Sequence, residues 1–562
     1  MSTLSRLEKE KAAQSDSQTS VIESNPTYHN GGDGHNHGLH RQLKNRHVAM
    51  ISIGGVIGTG LFLGTANSLA NGGPVGLLLG YITVGSVCWA TMISLGEMIA
   101  YLPLPGGHIT LARRFVDNAF SFTMGWNYWY NWTLTLPTEL SAAAVLINYW
   151  DKNTKLDYAW ISICLVVVVG INVCGAGVYG EAEFIFASIK VLTITGLIIL
   201  GIVLDLGGIM SFEVALAGIH LGSGGPDHDR LGFRYWKNPG PFVQYNDIPG
   251  NTGKFLGWWA VITQAAFAFI GAEIVAIAAG ETKNPRRNLP KAIKRVYFRI
   301  LLFYVGGTAV IGLLVPSNNP GLHLSSKTAA GSPFVIAIQK AGIKGLPSLI
   351  NACLLTAAWS AASSDLYTSS RSLHGLALSG NAPRIFLRTT RRGLPYVSII
   401  FCASFSLLAF MGVSSGAGTV FGWFSNMTAI AGLMTWFGIN VTYIRFYKGM
   451  KAQGYDRSKL PFVAPLQPFA AWYGTIATFV FGLFSGFSVF LKGKWDTATF
   501  VTNYLPFILF PILYIGAKFW YRQPYVEAPD MDFVTNIAEI EADERDEPPP
   551  KNKAEAFWAW MM

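Results

Sequence analysis

An all-α polytopic membrane protein of about twelve transmembrane helices is the fold class that this sequence predicts. Three observations carry the prediction. Charged residues make up 13% of the chain, about half the roughly 25% of a soluble domain. Apolar residues fall in blocks of about twenty, the length that crosses a bilayer core as a helix, rather than in the alternation of a strand. Lysines and arginines between the blocks gather on one side, as the positive-inside bias requires. The domain organisation follows: residues 1–45 and 522–562 have the polarity of disordered cytosolic tails, and 46–521 form the membrane domain.

The first apolar block begins after Arg46, behind a polar Ser/Asn/Gly/His stretch, and so reads as a retained span with a cytosolic N-terminus rather than a cleaved signal peptide. Within it stands Gly54-Gly55-Val56-Ile57-Gly58-Thr59-Gly60-Leu61-Phe62, a helix breaker at membrane depth. Unpaired backbone amides are costly in hydrocarbon, so irregular backbone there is expected only where it lines a cavity or is buried in protein. Glycines permit the unwinding, and the freed amides of a half-helix N-terminus suit an anionic group such as a carboxylate. Close packing of helices through small residues accounts for the same glycines.

The boundaries of the following spans are least distinct near Val75, Val397 and Phe500. Glu97 lies near a cytosolic end, a structural position. The segment Pro105 to Val116 places Ile109, Leu111, Ala112, Phe115 and Val116 beside Arg113 and Arg114, the pattern of an amphipathic surface connector. In the third span, Leu136-Pro137-Thr138-Glu139 sets an acid at membrane depth, for which a structural hydrogen bond and a proton role are equally open. The stretch Asp205 to Phe255 is the longest connection, rich in Gly and Pro, and parity places it outside as an ordered cap. The sixth block then reads Phe267-Ala268-Phe269-Ile270-Gly271-Ala272-Glu273, a second interruption five spans after the first. Paired interruptions in corresponding positions of two halves point to an inverted-repeat transporter with its binding site at the midplane.

The basic clusters at Arg113 and Arg114, at Lys283, Arg286, Arg287, Lys291, Lys294 and Arg295, at Arg384, Arg388, Arg391 and Arg392, and at Arg445, Lys448, Lys451, Arg457 and Lys459 all fall on the N-terminal side. Both termini are therefore expected inside, and the net charge of +10 reflects topology rather than nucleic-acid binding. Cys88, Cys164, Cys174, Cys353 and Cys402 all fall in spans without metal spacing and read as packing residues. The sequons at Asn131, Asn426 and Asn440 also fall in spans, so no N-glycan is expected. His29, His35, His37 and His40 belong to a tract that reads as solvated rather than metal-binding. Lys9 and Lys11 are candidates for modification, and the tails are where ubiquitin-ligase machinery would act.

Several segments now carry a resemblance: GGVIGTGLFLG at Gly54 to Gly64, SLGEMIAYLPLPGG at Ser94 to Gly107, YGEAEFIFASIKV at Tyr179 to Val191, FAFIGAE at Phe267 to Glu273, NPRRNLPKA at Asn284 to Ala292 and SPFVIAI at Ser332 to Ile338. The chain resembles a fungal permease of the yeast amino acid transporter family, within the amino acid/polyamine/organocation (APC) superfamily, over all of its spans. That resemblance implies a leucine-transporter-like fold, two inverted repeats of five spans with helices one and six broken, importing free amino acids with protons across the plasma membrane. It implies no cofactor beyond the proton as coupling ion. Amides around Val56, Ile57, Thr59 and Gly60 would hold the substrate carboxylate. Carbonyls near Phe267, Ala268 and Ile270 would take its ammonium, with Phe267 and Phe269 as gate and pocket wall.

Ionisable residues at membrane depth are then weighed as functional. Glu273, beside the second break, would carry a proton or face an ammonium. Lys190 matches the lysine that, in proton-dependent relatives, stands where sodium-coupled ones bind the ion; a snorkelling lysine at the cytosolic end is the plainer reading. The eighth span carries Ser360, Ser363, Ser364, Asp365, Thr368, Ser369 and Ser370, a polar stripe expected to face span one or a cavity. Asp365 departs from the family pattern, and an ion pair or proton relay with Lys190 is expected, the alternative being a local hydrogen bond to a serine or to Arg371. Ser364, with Trp423, Asn426 and Thr428 of the tenth span, would set side-chain specificity. Neutral amino acids or proline are the expected substrates, the latter because the segment Gly380 to Pro383 resembles proline permeases. A sensor with little transport is the alternative. No Ser/His or His/Glu constellation at membrane depth suggests an enzyme, and His108 and His374 read as surface residues.

Overall fold

The computed structural model describes residues 57–206, 213–214, 219–220, 229–274, 286, 296–323, 331–391 and 393–542. Val56 of the expected carboxylate site, the histidine tract, most of the NPRRNLPKA segment and the tail beyond residue 542 lie outside them.

Helices account for all twelve expected crossings among the described residues, although the first two arrive as one continuous element, Thr65–Tyr101. Its 37 residues would extend about 55 Å, nearly twice the roughly 30 Å of a bilayer core. The chain therefore turns at Gly73, where φ is 74° and ψ 175°, just before Pro74. A Cβ on Gly72 would meet one Val261 methyl at 2.5 Å and a Cβ on Gly80 the other at 2.5 Å. Residues eight apart on a straight helix lie about 12 Å apart, so both reach one valine only if the helix folds back between them.

The later spans are Asn118–Ile147 (third), Asp157–Val173 (fourth), Ala176–Asp205 (fifth), Gly250–Phe269 (sixth), the π-turn Ile300–Val305 continued by Gly306–Leu314 (seventh), and Leu346–Leu378 (eighth). The ninth runs Tyr396–Ser404 into a 3₁₀ stretch Phe405–Met411, followed by Ala417–Ala452 (tenth), Phe469–Leu483 (eleventh) and Thr497–Tyr521 (twelfth). Spans one, two, six and seven pack together, as do three, four, eight and nine. The fifth leans on the seventh and eighth, and the tenth on the second, third and sixth. Apolar side chains such as Val166, Leu192, Ile476 and Phe519 point outward, which suits a lipid-facing belt.

Caps and connections hold these groups in register. Asp117 accepts the Phe120 amide at 2.7 Å, capping the third span, and takes Lys518 of the twelfth at 2.6 Å. In the connection between the fifth and sixth spans, Pro241 O accepts the Val75 amide at 3.0 Å and Trp236 Nε1 donates to Gly312 O at 3.1 Å, so this segment grips both the turn between spans one and two and the end of span seven. Residues Glu213–Val214 and Ile219–His220 of the same connection form a short antiparallel ladder. The helix His108–Phe115 buries Leu111, Ala112 and Phe115 against the protein, under the third and tenth spans. His108 is buried as well, contrary to its reading as a surface residue, and so is His374, whose Nδ1 lies 2.8 Å from Phe386 O.

All five cysteines are free; Cys174 ends the fourth span and is exposed rather than packed. Residues 522–542, polar enough to read as tail, lie against the membrane domain: the Val526 amide donates to Val116 O at 3.1 Å, and Met531 and Phe533 are buried.

Candidate functional site

The two interruptions meet. Among the described residues of span one, Ile57 and Gly58 are non-helical, and Thr59 opens a helix that continues as a π-helical turn Gly60–Gly64, a form often found at functional positions. Span six stops at Phe269: Ile270 takes ψ 143° and Gly271 φ 94°. A Cβ on Gly60 would lie 2.8 Å from Ala268 Cα and 3.0 Å from the Phe267 ring, so only glycine lets the two backbones approach this closely. A half-helix N-terminus, whose first amides lack intrahelical partners, thus stands beside a half-helix C-terminus, whose last carbonyls lack them too. Donors and acceptors of opposite dipole sign a few ångströms apart are complementary to a zwitterion.

Around this junction Ile57, Thr59, Phe267, Ala268, Phe269, Ile270 and Glu273 are all buried. Phe267 contacts Phe421 of the tenth span edge-on, with ring centroids 5.9 Å apart. Phe269 instead stacks on Tyr304 at 4.4 Å and lies 5.9 Å from Tyr81, inside the group of spans two, six and seven. The expected gate and wall therefore part company, Phe267 facing the tenth span and Phe269 the interior of its own bundle. Gly432 of the tenth span abuts Ile270, where a Cβ would come within 2.6 Å. Trp423 packs with Tyr130 and Leu408 against Leu134, Val420, Phe424 and Met427, and the Thr428 hydroxyl donates to Phe424 O at 2.9 Å in its own helix. Asn426 is half-buried. The tenth span thus reaches the break through Phe421 and Gly432.

A second, ionic cluster lies where spans one, three, five and eight converge. Thr59 Oγ1 donates to Glu139 Oε1 at 2.9 Å. A Cβ on Gly58 would sit 3.3 Å from that same oxygen and 3.7 Å from Ala361 Cβ of the eighth span. Lys190 is 1% exposed and does not snorkel. Its ammonium lies 3.8 Å from Glu183 Oε1, two helical turns earlier on the same face. Ser360 donates to the other oxygen of Glu183 at 2.6 Å, and Tyr179 donates to Ser364 at 3.0 Å. The Asn172 amide donates to Ser363 O at 3.1 Å. Asp365 is buried in this cluster, with Glu139, Lys190 and Glu183 as its charged neighbours. The serines of the eighth span thus face the fourth and fifth spans and reach the first through Ala361.

Glu183 is the ionic residue that sequence reasoning passed over. It stands inside the quoted segment YGEAEFIFASIKV, seven residues before Lys190, and that spacing on one helical face was the available signal. Near the second break, Trp436 Nε1 donates to Glu273 Oε2 at 3.1 Å, and Arg299 of the seventh span lies in the same electrostatic neighbourhood. Neither partner has a local signature, because both come from distant helices.

With this geometry in place, comparison with known proteins is informative. Residues 47–529 match the amino acid permease family. A proline-specific permease of Emericella nidulans is 41% identical over 531 residues, covering 93% of each chain. A dicarboxylic amino acid permease of Saccharomyces cerevisiae is 42% identical, covering 90% of this chain and 81% of its own. A lysine-specific permease of the same yeast is 40% identical, covering 92% and 82%. Near-equal identity to proteins named for an imino acid, an anionic and a cationic side chain shows that these resemblances report the shared scaffold rather than the side-chain pocket. The chain belongs to the amino acid permease family of polytopic membrane transporters of the APC superfamily.

Proposed function

We propose that this protein imports amino acids together with protons across the plasma membrane, with neutral amino acids or proline as substrates and both termini in the cytosol. The observation that carries the reading is the close approach of Gly60 to Ala268 and Phe267, which sets the N-terminal end of one half-helix beside the C-terminal end of another in a buried setting. In this reading the amides at Ile57, Thr59 and Gly60 hold the carboxylate, and carbonyls at Phe267, Ala268 and Ile270 hold the ammonium. Lys190, Glu273 and Asp365 form the coupling apparatus. Neutral side chains are favoured by the apolar residues at the break, Ile57, Phe267 and Phe421, while the nearest carboxylate, Glu139, is engaged by Thr59. The relative named as a proline-specific permease at 41% identity keeps proline in the set.

Uptake of radiolabelled proline, a neutral panel, glutamate and lysine in permease-deficient fungal cells tests this. Uncoupler-sensitive accumulation, stronger at acid pH, for proline or neutral amino acids is the expected result. Saturable binding at the cell surface without accumulation would replace the importer with a sensor, and uptake confined to glutamate or lysine would overturn the substrate assignment.

A further inference from the structure

Carboxylates outnumber cations in the ionic cluster. Glu139, Glu183 and Asp365 surround Lys190, and each of the four is at most 3% exposed. Glu183 is the carboxylate that faces the lysine, Oε1 forming an ion pair at 3.8 Å, outside hydrogen-bond distance, while Oε2 accepts from Ser360 at 2.6 Å. That pair is balanced in charge. Two carboxyls remain. Glu139 Oε1 takes the Thr59 hydroxyl, while Glu139 Oε2 and Asp365 Oδ2 are buried without a hydrogen-bond partner. Glu139 and Ala361 meet over Gly58, and Asp365 stands one helical turn beyond Ala361 on the same face, which places the two carboxyls in one neighbourhood, with Glu139 the first charged neighbour of Asp365. Two adjacent carboxylates out of water cannot both stay ionised, whereas a pair holding one proton between them is a stable arrangement.

Building on the proton-symport reading, we propose that Glu139 and Asp365 share one proton, that this couple is the station of the coupling ion, and that Glu183 is a positioning residue that holds Lys190 in place. The couple exchanges this proton with the outer side while that side is open to water and with the cytosol when the opposite side opens; its charge is −1 while the site is closed and reaches −2 only while water hydrates the carboxylates. No other bond changes. The substrate loop senses this event directly, because the hydroxyl bonded to Glu139 belongs to Thr59, the first helical residue after the break. The groups that reach the couple are Thr59 and Gly58 from span one, Lys190, Glu183 and Tyr179 from span five, and Asn172 from span four through Ser363. On the eighth span itself stand Tyr367, stacked on Tyr179 at 4.1 Å, and Arg371, whose guanidinium lies 3.2 Å over the Tyr367 ring.

The test compares wild type, Asp365→Asn and Asp365→Glu, each scored for surface level, substrate exchange against pH and accumulation ratio in the same cells. Asp365→Asn is expected to exchange substrate at a rate that no longer varies with pH, whatever its absolute level, and to lose accumulation above equilibrium. Asp365→Glu is expected to keep acid stimulation with a displaced midpoint, which guards against simple misfolding of the amide variant. For the positioning role, Glu183→Gln is expected to reduce surface level, and adding Lys190→Met is expected to restore it by removing the unbalanced charge. A pH profile and accumulation ratio of Asp365→Asn superimposable on wild type overturn the shared proton while leaving symport intact. Wild-type uptake indifferent to pH and to uncoupler overturns the symport reading and the couple with it.

Discussion

Single residues decide how closely the two broken helices approach. Alanine at Gly60 would push its Cβ to 2.8 Å from the Ala268 backbone, which cannot yield as a side-chain tip can. Overpacking of this kind costs about 1–3 kcal/mol, and a loss of that size in the transport barrier is a factor of about five to 150. Gly60→Ala should therefore cut the uptake rate by about fivefold or more at near-normal surface level, while Gly64→Ala, which meets nothing within 4 Å, should leave it close to wild type; initial-rate uptake normalised to surface protein checks both. His108 supplies a pH-dependent contribution. Burial pushes its pKa from 6.5 down to about 3, and neither ring nitrogen has a hydrogen-bond partner. The unfolded chain binds a proton below about pH 6.5 that the folded protein refuses, so this stability is present above that pH and is lost as pH falls towards the folded value. The melting temperature of the purified protein should drop on acidification from about pH 7.5 to about pH 5, and His108→Leu should flatten part of that slope.

At the scale of elements, the stretch after the twelfth span acts as a strap across one end of the membrane domain. Phe533, 1% exposed, lies 5.2 Å from Phe115, 5.6 Å from Phe446, 5.2 Å from Tyr455 and 6.4 Å from Tyr101, measured between ring centroids. It therefore joins the second span, the helix His108–Phe115 and the tenth span. Arg114 binds Asp532 at 2.9 Å, Gln453 donates to Met531 O at 2.7 Å, and Tyr101 donates to Phe533 O at 3.0 Å. Burying aromatic surface is worth more than the polar contacts, since exposed ion pairs contribute about 0–1 kcal/mol. Phe533→Ala should cost about 3–5 kcal/mol in stability, whereas alanine at its exposed neighbour Val534 should cost little; thermal unfolding in detergent distinguishes them.

Across the whole molecule, the packing separates spans one, two, six and seven from three, four, eight and nine, and the candidate site lies at the boundary because Gly58 of the first break faces Glu139 and Ala361 and Gly271 of the second faces Trp132. The ionic cluster straddles the same boundary, Thr59 on one side and Glu139 on the other. On the symport reading, a zwitterion and a proton together carry one positive charge inward, worth about 2.3 kcal/mol per 100 mV. Collapsing a potential of about 100 mV at fixed pH should then lower the accumulation ratio by about fiftyfold. Steady-state uptake with potassium and valinomycin measures this, and a ratio unmoved by potential would mean that transport carries no net charge.

The membrane class, the number of crossings and both interruptions were legible from the chain, because bilayer thickness imposes a length on every span and hydrocarbon forbids idle backbone polarity. The amphipathic reading of His108–Phe115 was legible too, since that pattern is local. Partners were not. Lys190 was singled out from one helix, but its pairing with Glu183 needed the rotamers and the Ser360 contact from the eighth span. Phe267 and Phe269 differ by two residues in sequence, and only the surrounding helices send one towards Phe421 and the other towards Tyr304. The order of the docked strap likewise arises from aromatic contacts hundreds of residues apart in sequence, which composition cannot register. Sequence by itself determined where the backbone must unwind, because that is a covalent property of glycines at membrane depth; tertiary structure decided which charges and rings meet there, because those meetings depend on how separate helices pack.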